Sequence, residues 1–173
     1  TAGSAMSELG NIITRMKEIN VNAASSSVGD LERRYLLVEY DALYDEINRI
    51  TLTTDYKGLP LLYGESEKVP EELVFRLGDP SLEESISSSG EDINTIVFSD
   101  IKNTNTTTEA LGIYSVKDYL EDLSYEEGIY LEDVKELLIP EEEDLFSTRY
   151  DEALARLSGY RANYGALHAR LNR

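Results

Sequence analysis

The side chains able to do chemistry in this sequence are almost all carboxylates. Residues 117–144 hold twelve Asp and Glu against two lysines. Carboxylates at that density could bind calcium, or two of them could share general acid and general base work. Calcium needs oxygen ligands placed around one ion, and the stretch lacks the D-x-[DN]-x-[DN]-G loop that supplies them. Glu126 and Glu127 are sequence neighbours, and adjacent residues do not face each other on a helix. The chain has one histidine, His168, and no cysteine. Thiolate metal sites, a cysteine nucleophile, disulfides and the two-histidine zinc motif H-E-x-x-H are therefore excluded. Asn105-Thr106-Thr107 fits an N-glycosylation sequon, but short Asn/Thr runs meet that pattern by chance. With no catalytic constellation in place, the expectation is a protein that is not an enzyme and takes no cofactor or metal.

Charge narrows the partners. The formal net charge of -18 repels nucleic acid and anionic membrane, so neither is expected. No apolar run approaches the roughly 20 residues of a membrane span. The sequence opens in mid-helix pattern, without a cleavable signal. Its last residues also stop inside a heptad, so helices are expected to continue beyond both ends.

Three long helices have to position whatever these side chains do. In the first, residues 2–24, Ala2, Leu9, Met16 and Ala23 recur every seven residues, with Ala5, Ile12 and Ile19 between them. That predicts a narrow coiled-coil stripe, which needs partner helices. Arg15, Lys17 and Glu18 lie on its flank. Asp30 suits an N-cap for a second helix over about residues 31–53, with Leu36, Leu43 and Ile50 on one seam and Tyr40 and Ile47 on the other. The short connection makes the two an antiparallel hairpin. Pro140 and the acids after it suit the start of a third helix. Its seams are Tyr150, Leu157, Tyr164 and Leu171, and Ala153, Tyr160 and Leu167. Gly159 and Gly165 within it cost helix propensity and permit close approach of a neighbour.

Between the second and third helices lie short β candidates at 59–63, 73–77 and 95–98, punctuated by glycine and proline turns. Residues 103–108 read as a polar loop, and 117–144 as two short amphipathic helices. The expected fold is mainly α with a small β-rich region (α+β): an antiparallel bundle of long coiled-coil-like helices with short β-hairpins. It is read as one domain over 1–173, with the β-rich region at 59–113 and an acidic insert at 115–144.

Four stretches in order carry a resemblance. Thr1-Ala2-Gly3-Ser4-Ala5-Met6, running on to Ala24, is similar to T-A-E-G-A-L-x-E followed by L-Q-R-V-R-E-L-A-V-Q-A-A. Asp45-Glu46-Ile47-Asn48-Arg49-Ile50, then Thr53-Thr54-Asp55-Tyr56-Lys57-Gly58, is similar to N-E-I-D-R-I-x-x-x-T-x-F-N-G. Thr106-Thr107-Thr108-Glu109-Ala110-Leu111-Gly112-Ile113 contains a counterpart of T-A-L-G-I. Arg161-Ala162-Asn163-Tyr164-Gly165-Ala166-Leu167-His168-Ala169-Arg170-Leu171 is similar to R-x-x-L-G-A-x-Q-N-R-L. Together they resemble the core domain of bacterial flagellin, over roughly the first 60 and last 30 residues plus a patch between. The sequence departs from the family at Lys17, Thr14 and His168-Ala169, and the acidic insert has no counterpart there.

The resemblance implies a structural subunit of the flagellar filament, secreted by the flagellar export apparatus and assembled with other flagellin subunits outside the cell. The family's terminal coiled-coil segments and outer variable domains are not among these residues. Packing would rest on Leu9, Met16, Leu36, Leu43, Leu157, Tyr164 and Leu167. The family is also recognised by a host Toll-like receptor, and its contact residues align with Arg15, Ile19 and Glu39. The alternative for those three is purely structural, with Ile19 in the helix seam and Arg15 paired to Glu18 or Glu39. Two other functions compete: a hook–filament junction protein, and an adhesin-type binding module using the acidic insert. The turn at Asp55-Tyr56-Lys57-Gly58 favours flagellin over the junction protein.

Overall fold

The structure, a computed structural model, describes residues 2–76, 95–115 and 143–172. The turns expected at 78–80 and 87–90 and most of the acidic insert, 116–142, lie outside the described residues. Helix α1 spans Ala2–Ala24 and helix α2 spans Asp30–Thr53. Gly29, and not Asp30, is the N-cap of α2, and it offers no side-chain bond. The tight connection is closed by Arg33. Its guanidinium donates to the carbonyl oxygens of Ala23 (2.7 Å), Ser25 (3.2 Å) and Val28 (3.2 Å). A helix C-terminus leaves its last carbonyls without intrahelical partners, so this buried arginine serves the end of α1 from within α2.

Among the described residues four short strands follow: β1 Asp55–Tyr56, β2 Leu59–Pro60, β3 Leu73–Arg76 and β4 Thr95–Phe98. β1 and β2 pair antiparallel across Lys57 and Gly58, whose φ values are +51° and +82°. Two left-handed residues in a two-residue loop make the turn type whose twist suits a hairpin. β3 and β4 also pair antiparallel, with Leu73 opposite Phe98. Only Leu59–Pro60 of the expected 59–63 strand is in a ladder; Tyr63 instead bridges Asn105. A short helix α3, Thr108–Leu111, is capped by the Thr107 hydroxyl and ends at left-handed Gly112. The last helix, α4, spans Glu143–Leu171.

α1 is the central element. Lys17 meets Asp151 of α4 on one flank, and Arg15 meets Glu39 of α2 on the other. The expected narrow stripe on α1 is therefore corrected to a broad face: Met6, Ile13 and Asn20 are buried as well as Leu9, Ile12, Met16 and Ile19. At 100° per residue, Met6 and Ile13 project toward the Lys17 flank, and Ile12 and Ile19 toward the Arg15 flank. A helix packed on two sides needs both. The main core joins these residues to Tyr40, Ile47 and Ile50 of α2 and to Tyr150, Ala153 and Leu157 of α4. A second cluster holds Val69, Phe98, Ile101 and Leu167, so the β-rich region packs on the far end of α4. There Phe98 meets Tyr164 edge to face at 5.5 Å.

The segment 103–108 is corrected from a polar loop to a partly internal one. Thr104, Thr106 and Thr108 are buried. The Thr106 and Thr51 hydroxyls share a 2.8 Å hydrogen bond, and Asn48 of α2 holds both the backbone N–H and the hydroxyl of Thr108. Buried hydroxyls are costly unless bonded, and here each has its partner.

Candidate functional site

Arg15 sits in the middle of α1, on the edge facing α2. The antiparallel hairpin carries Glu39 to it. Arg15 Nε donates to Glu39 Oε1 at 2.9 Å and Nη2 to Oε2 at 3.1 Å, a two-bond fork; Nη1 reaches Glu18 at 3.4 Å. The pair is open to solvent, with side chains 42% and 43% exposed. The hydrogen bond from Arg15 holds the Glu39 carboxyl below its ordinary range, and Arg15 itself is raised by the same bond. The planar guanidinium fits a carboxylate in this fork as a lysine cannot. A screened pair of this kind adds little stability, so what it contributes is a fixed, exposed arrangement of charge and donors across the hairpin.

Ile19, one turn along from Arg15, is fully enclosed by the core. It occupies the seam and offers no apolar surface beside Arg15. The packing residues divide. Leu9, Met16, Leu157 and Leu167 are buried, while Leu36, Leu43 and Tyr164 are partly buried against the same clusters. Tyr164 donates its hydroxyl to the Leu61 carbonyl. Burial pushes that phenol up to about 12; a hydrogen bond with Thr104 opposes the shift and the Asp100 charge adds to it.

The other chemical candidates are occupied internally. Asn105 accepts from the backbone N–H and hydroxyl of Thr107 and donates to Glu65, so both ends of the sequon amide are tied. A cleft of about 540 Å³ lies between α2 and this turn, lined by Tyr44, Asn48, Tyr63 and Glu109 among others. Asn48, one of its two amides, is committed to Thr108. His168 is exposed near the end of α4 beside Asn172. Among the described residues no three His, Cys, Asp or Glu side chains are placed to hold a metal, and no helix is long and apolar enough to cross a membrane.

Sequence reasoning missed a feature on the outer side of α2. Leu31, Tyr35 and Val38 project into solvent, 64%, 67% and 69% exposed. Their spacing of four and three is itself a helical stripe, and it lies opposite the seam on which the reading of α2 was centred.

Comparison with known proteins places this geometry. Residues 1–67 match the bacterial flagellin N-terminal helical region. Polar flagellin F of Vibrio parahaemolyticus is 44% identical over 64 residues, which are 37% of this chain and 17% of that protein. Flagellin B of Vibrio anguillarum is 42% identical over the same shares. Flagellin E of Vibrio cholerae is 37% identical over 81 residues, 47% of this chain and 20% of that protein. The matched stretch thus spans about a fifth or less of these relatives' own length. In three dimensions the chain is similar to the crystal structure of Bacillus cereus flagellin, with a TM-score of 0.62, 20% identity, and coverage of 98% of this chain and 77% of that one. That likeness is one of fold.

Proposed function

We propose that this chain is the helical core of a flagellar filament subunit of the bacterial flagellin family, a structural part and not an enzyme. The observation that carries the reading is the match of its first 67 residues to the flagellin N-terminal helical region. The α1–α2 hairpin packed against α4 supports it, because this is the part whose fold is similar to a flagellin over nearly the whole chain. In this reading residues 1–173 act as one unit, the partners are other flagellin subunits and the flagellar export apparatus, and the filament lies outside the cell. Immunogold electron microscopy of the source cells, with antibodies raised against the chain, tests it. Gold along the length of the filament is expected. Gold confined to the base of the filament would favour a hook–filament junction protein, and gold on the cell body alone would favour an adhesin.

A finer part of the proposal concerns recognition by the host Toll-like receptor for flagellin. The exposed Arg15–Glu39 fork favours it, since it presents the remaining guanidinium N–H donors of Arg15 on α1 beside the Glu39 carboxylate on α2, at the positions that align with the family's contacts. Ile19, being buried, would contribute only by holding α1 in place. A receptor-reporter assay with Arg15→Ala and Glu39→Ala beside the parent checks this. Signalling by the parent with a loss of at least several-fold in each variant is expected. Equal signalling by all three would remove both residues from the site.

A further inference from the structure

The outward faces of α2 and α4 are built from opposite kinds of side chain. On α2, Leu31, Tyr35 and Val38 are followed one turn on by exposed Ala42. The steps of four, three and four keep them in one straight ridge, on the side of the helix away from Tyr40 and Ile47. On α4, the side away from Leu157 and Leu167 carries Ala155, Gly159, Ala162, Ala166 and Ala169, all exposed, in the same alternation of four and three. That face is smooth. A Cβ added at Gly159, or at neighbouring Gly165, would meet nothing within 4 Å. Among the described residues nothing requires glycine there, although each glycine costs about 1 kcal/mol of helix propensity relative to alanine.

Charge divides the same way. From residue 153 to residue 171 α4 carries Arg156, Arg161 and Arg170 and no carboxylate, in a chain of net charge -18. The ridge on α2 is flanked by Asp41 and Asp45 on one side and by Glu32, Glu39 and Glu46 on the other; Arg34 and Arg49 are the cations beside it, and Glu39 and Glu46 already pair with Arg15 and Arg49, which leaves Glu32 and Asp45 for a partner's arginines.

We propose that the α2 ridge of one copy docks lengthwise on the small-residue face of α4 of a second copy. This rests on the filament reading and deepens it by naming the two faces that meet. Large side chains fill the space that alanines and glycines leave open, which lets the helix axes approach closely. The arginines of α4 come beside the carboxylates that border the ridge, and unlike charges at an interface fix partner and register. Ridge and groove sit on different helices, each turned away from its own core, so one copy cannot satisfy itself. The contact is head to tail, and repeated it builds an open-ended row.

The absence of cysteine makes the test direct. Val38→Cys is mixed in turn with Ala155→Cys, Ala162→Cys and Ala169→Cys, at high protein concentration, with a short bifunctional thiol cross-linker. Glu67→Cys, an exposed position on neither face, replaces the α4 partner as control. At least one α2–α4 mixture is expected to give several-fold more cross-linked dimer than the control mixture or than Val38→Cys alone. Adding Gly159→Leu to the α4 variant, where open space leaves the fold intact, is expected to remove the excess. Equal yields in all mixtures, or a dominant Val38–Val38 dimer, would overturn the proposal. Filaments that label with antibody while no α2–α4 excess is seen would leave the filament reading standing and remove only these faces. An α2–α4 excess with no labelled filament would do the reverse.

Discussion

Of the described glycines, Gly64 has the least room for a side chain. Its N–H donates to the Thr104 carbonyl at 2.6 Å, and a Cβ at this position would lie 2.3 Å from the Lys102 carbonyl oxygen and 2.5 Å from that of Ile101. Both obstacles are backbone, so neither can rotate away. Gly64→Ala is expected to destabilise the chain by about 2 kcal/mol or more, the upper range for overpacking, as a lowered urea midpoint with little change in slope. Tyr164 sets the alkaline behaviour. Its phenol is raised from 10 to about 12 by burial, so between those values the unfolded chain gives up a proton that the folded chain keeps. The unfolded state then binds fewer protons, and stability falls as pH rises through that window. Denaturation at pH 9 and pH 11.5 should show a drop that is smaller in Tyr164→Phe. A parent and a variant with equal drops would mean that the phenol ionises in the folded state as readily as in the unfolded one.

Among the elements, the helices were legible because their signal repeats. The seven-residue spacing of Ala2, Leu9, Met16 and Ala23 gives α1 its full length, Ala2–Ala24. What the pattern concealed is that Met6 and Ile13 form part of a second buried side, since a two-position seam describes a helix with one partner and α1 has two. The β-rich region was less legible for a physical reason. Two of its four described strands are two residues long, too short for alternation to show. The buried Thr104, Thr106 and Thr108 do alternate, a period-two pattern of β-branched residues, yet hydroxyls read as solvent-facing until their partners on α2 are known. At the candidate site, the pairing of Arg15 with Glu39 or Glu18 was among the readings open from spacing, whereas the exposed ridge on α2 was hidden by attention to the inner seam. Element stability offers one further check. Gly159 lies in the interior of α4 with open space around it, so Gly159→Ala should raise the thermal midpoint through helix propensity worth about 1 kcal/mol. A lowered midpoint would mean that the glycine serves the fold of the single chain.

For the whole molecule the dominant quantity is the net charge of -18. Among the described residues a few ion pairs offset it, including Arg15 with Glu39, Lys17 with Asp151 and Arg49 with Glu46. Exposed pairs of that kind contribute about 0–1 kcal/mol each, while the unpaired excess repels itself across the entire surface. Salt weakens both, and the Debye length falls from about 30 Å at 0.01 M to about 10 Å at 0.1 M. The long-range repulsion is lost first, so the melting temperature is expected to rise by several degrees over that range. A fall would mean that the attractive pairs outweigh the excess.

The central position of α1 also orders the events of folding. Arg33 reaches back only 10 residues to Ala23, and Arg15 pairs with Glu39 at a separation of 24, whereas Lys17 finds Asp151 at 134. Closing a long loop costs more chain entropy than closing a short one, so the α1–α2 hairpin is expected to form before α4 docks. During that interval Met6 and Ile13 lie uncovered along a preformed helix. A chain in which only that hairpin has formed would carry one bare apolar flank on α1 until its last helix docks.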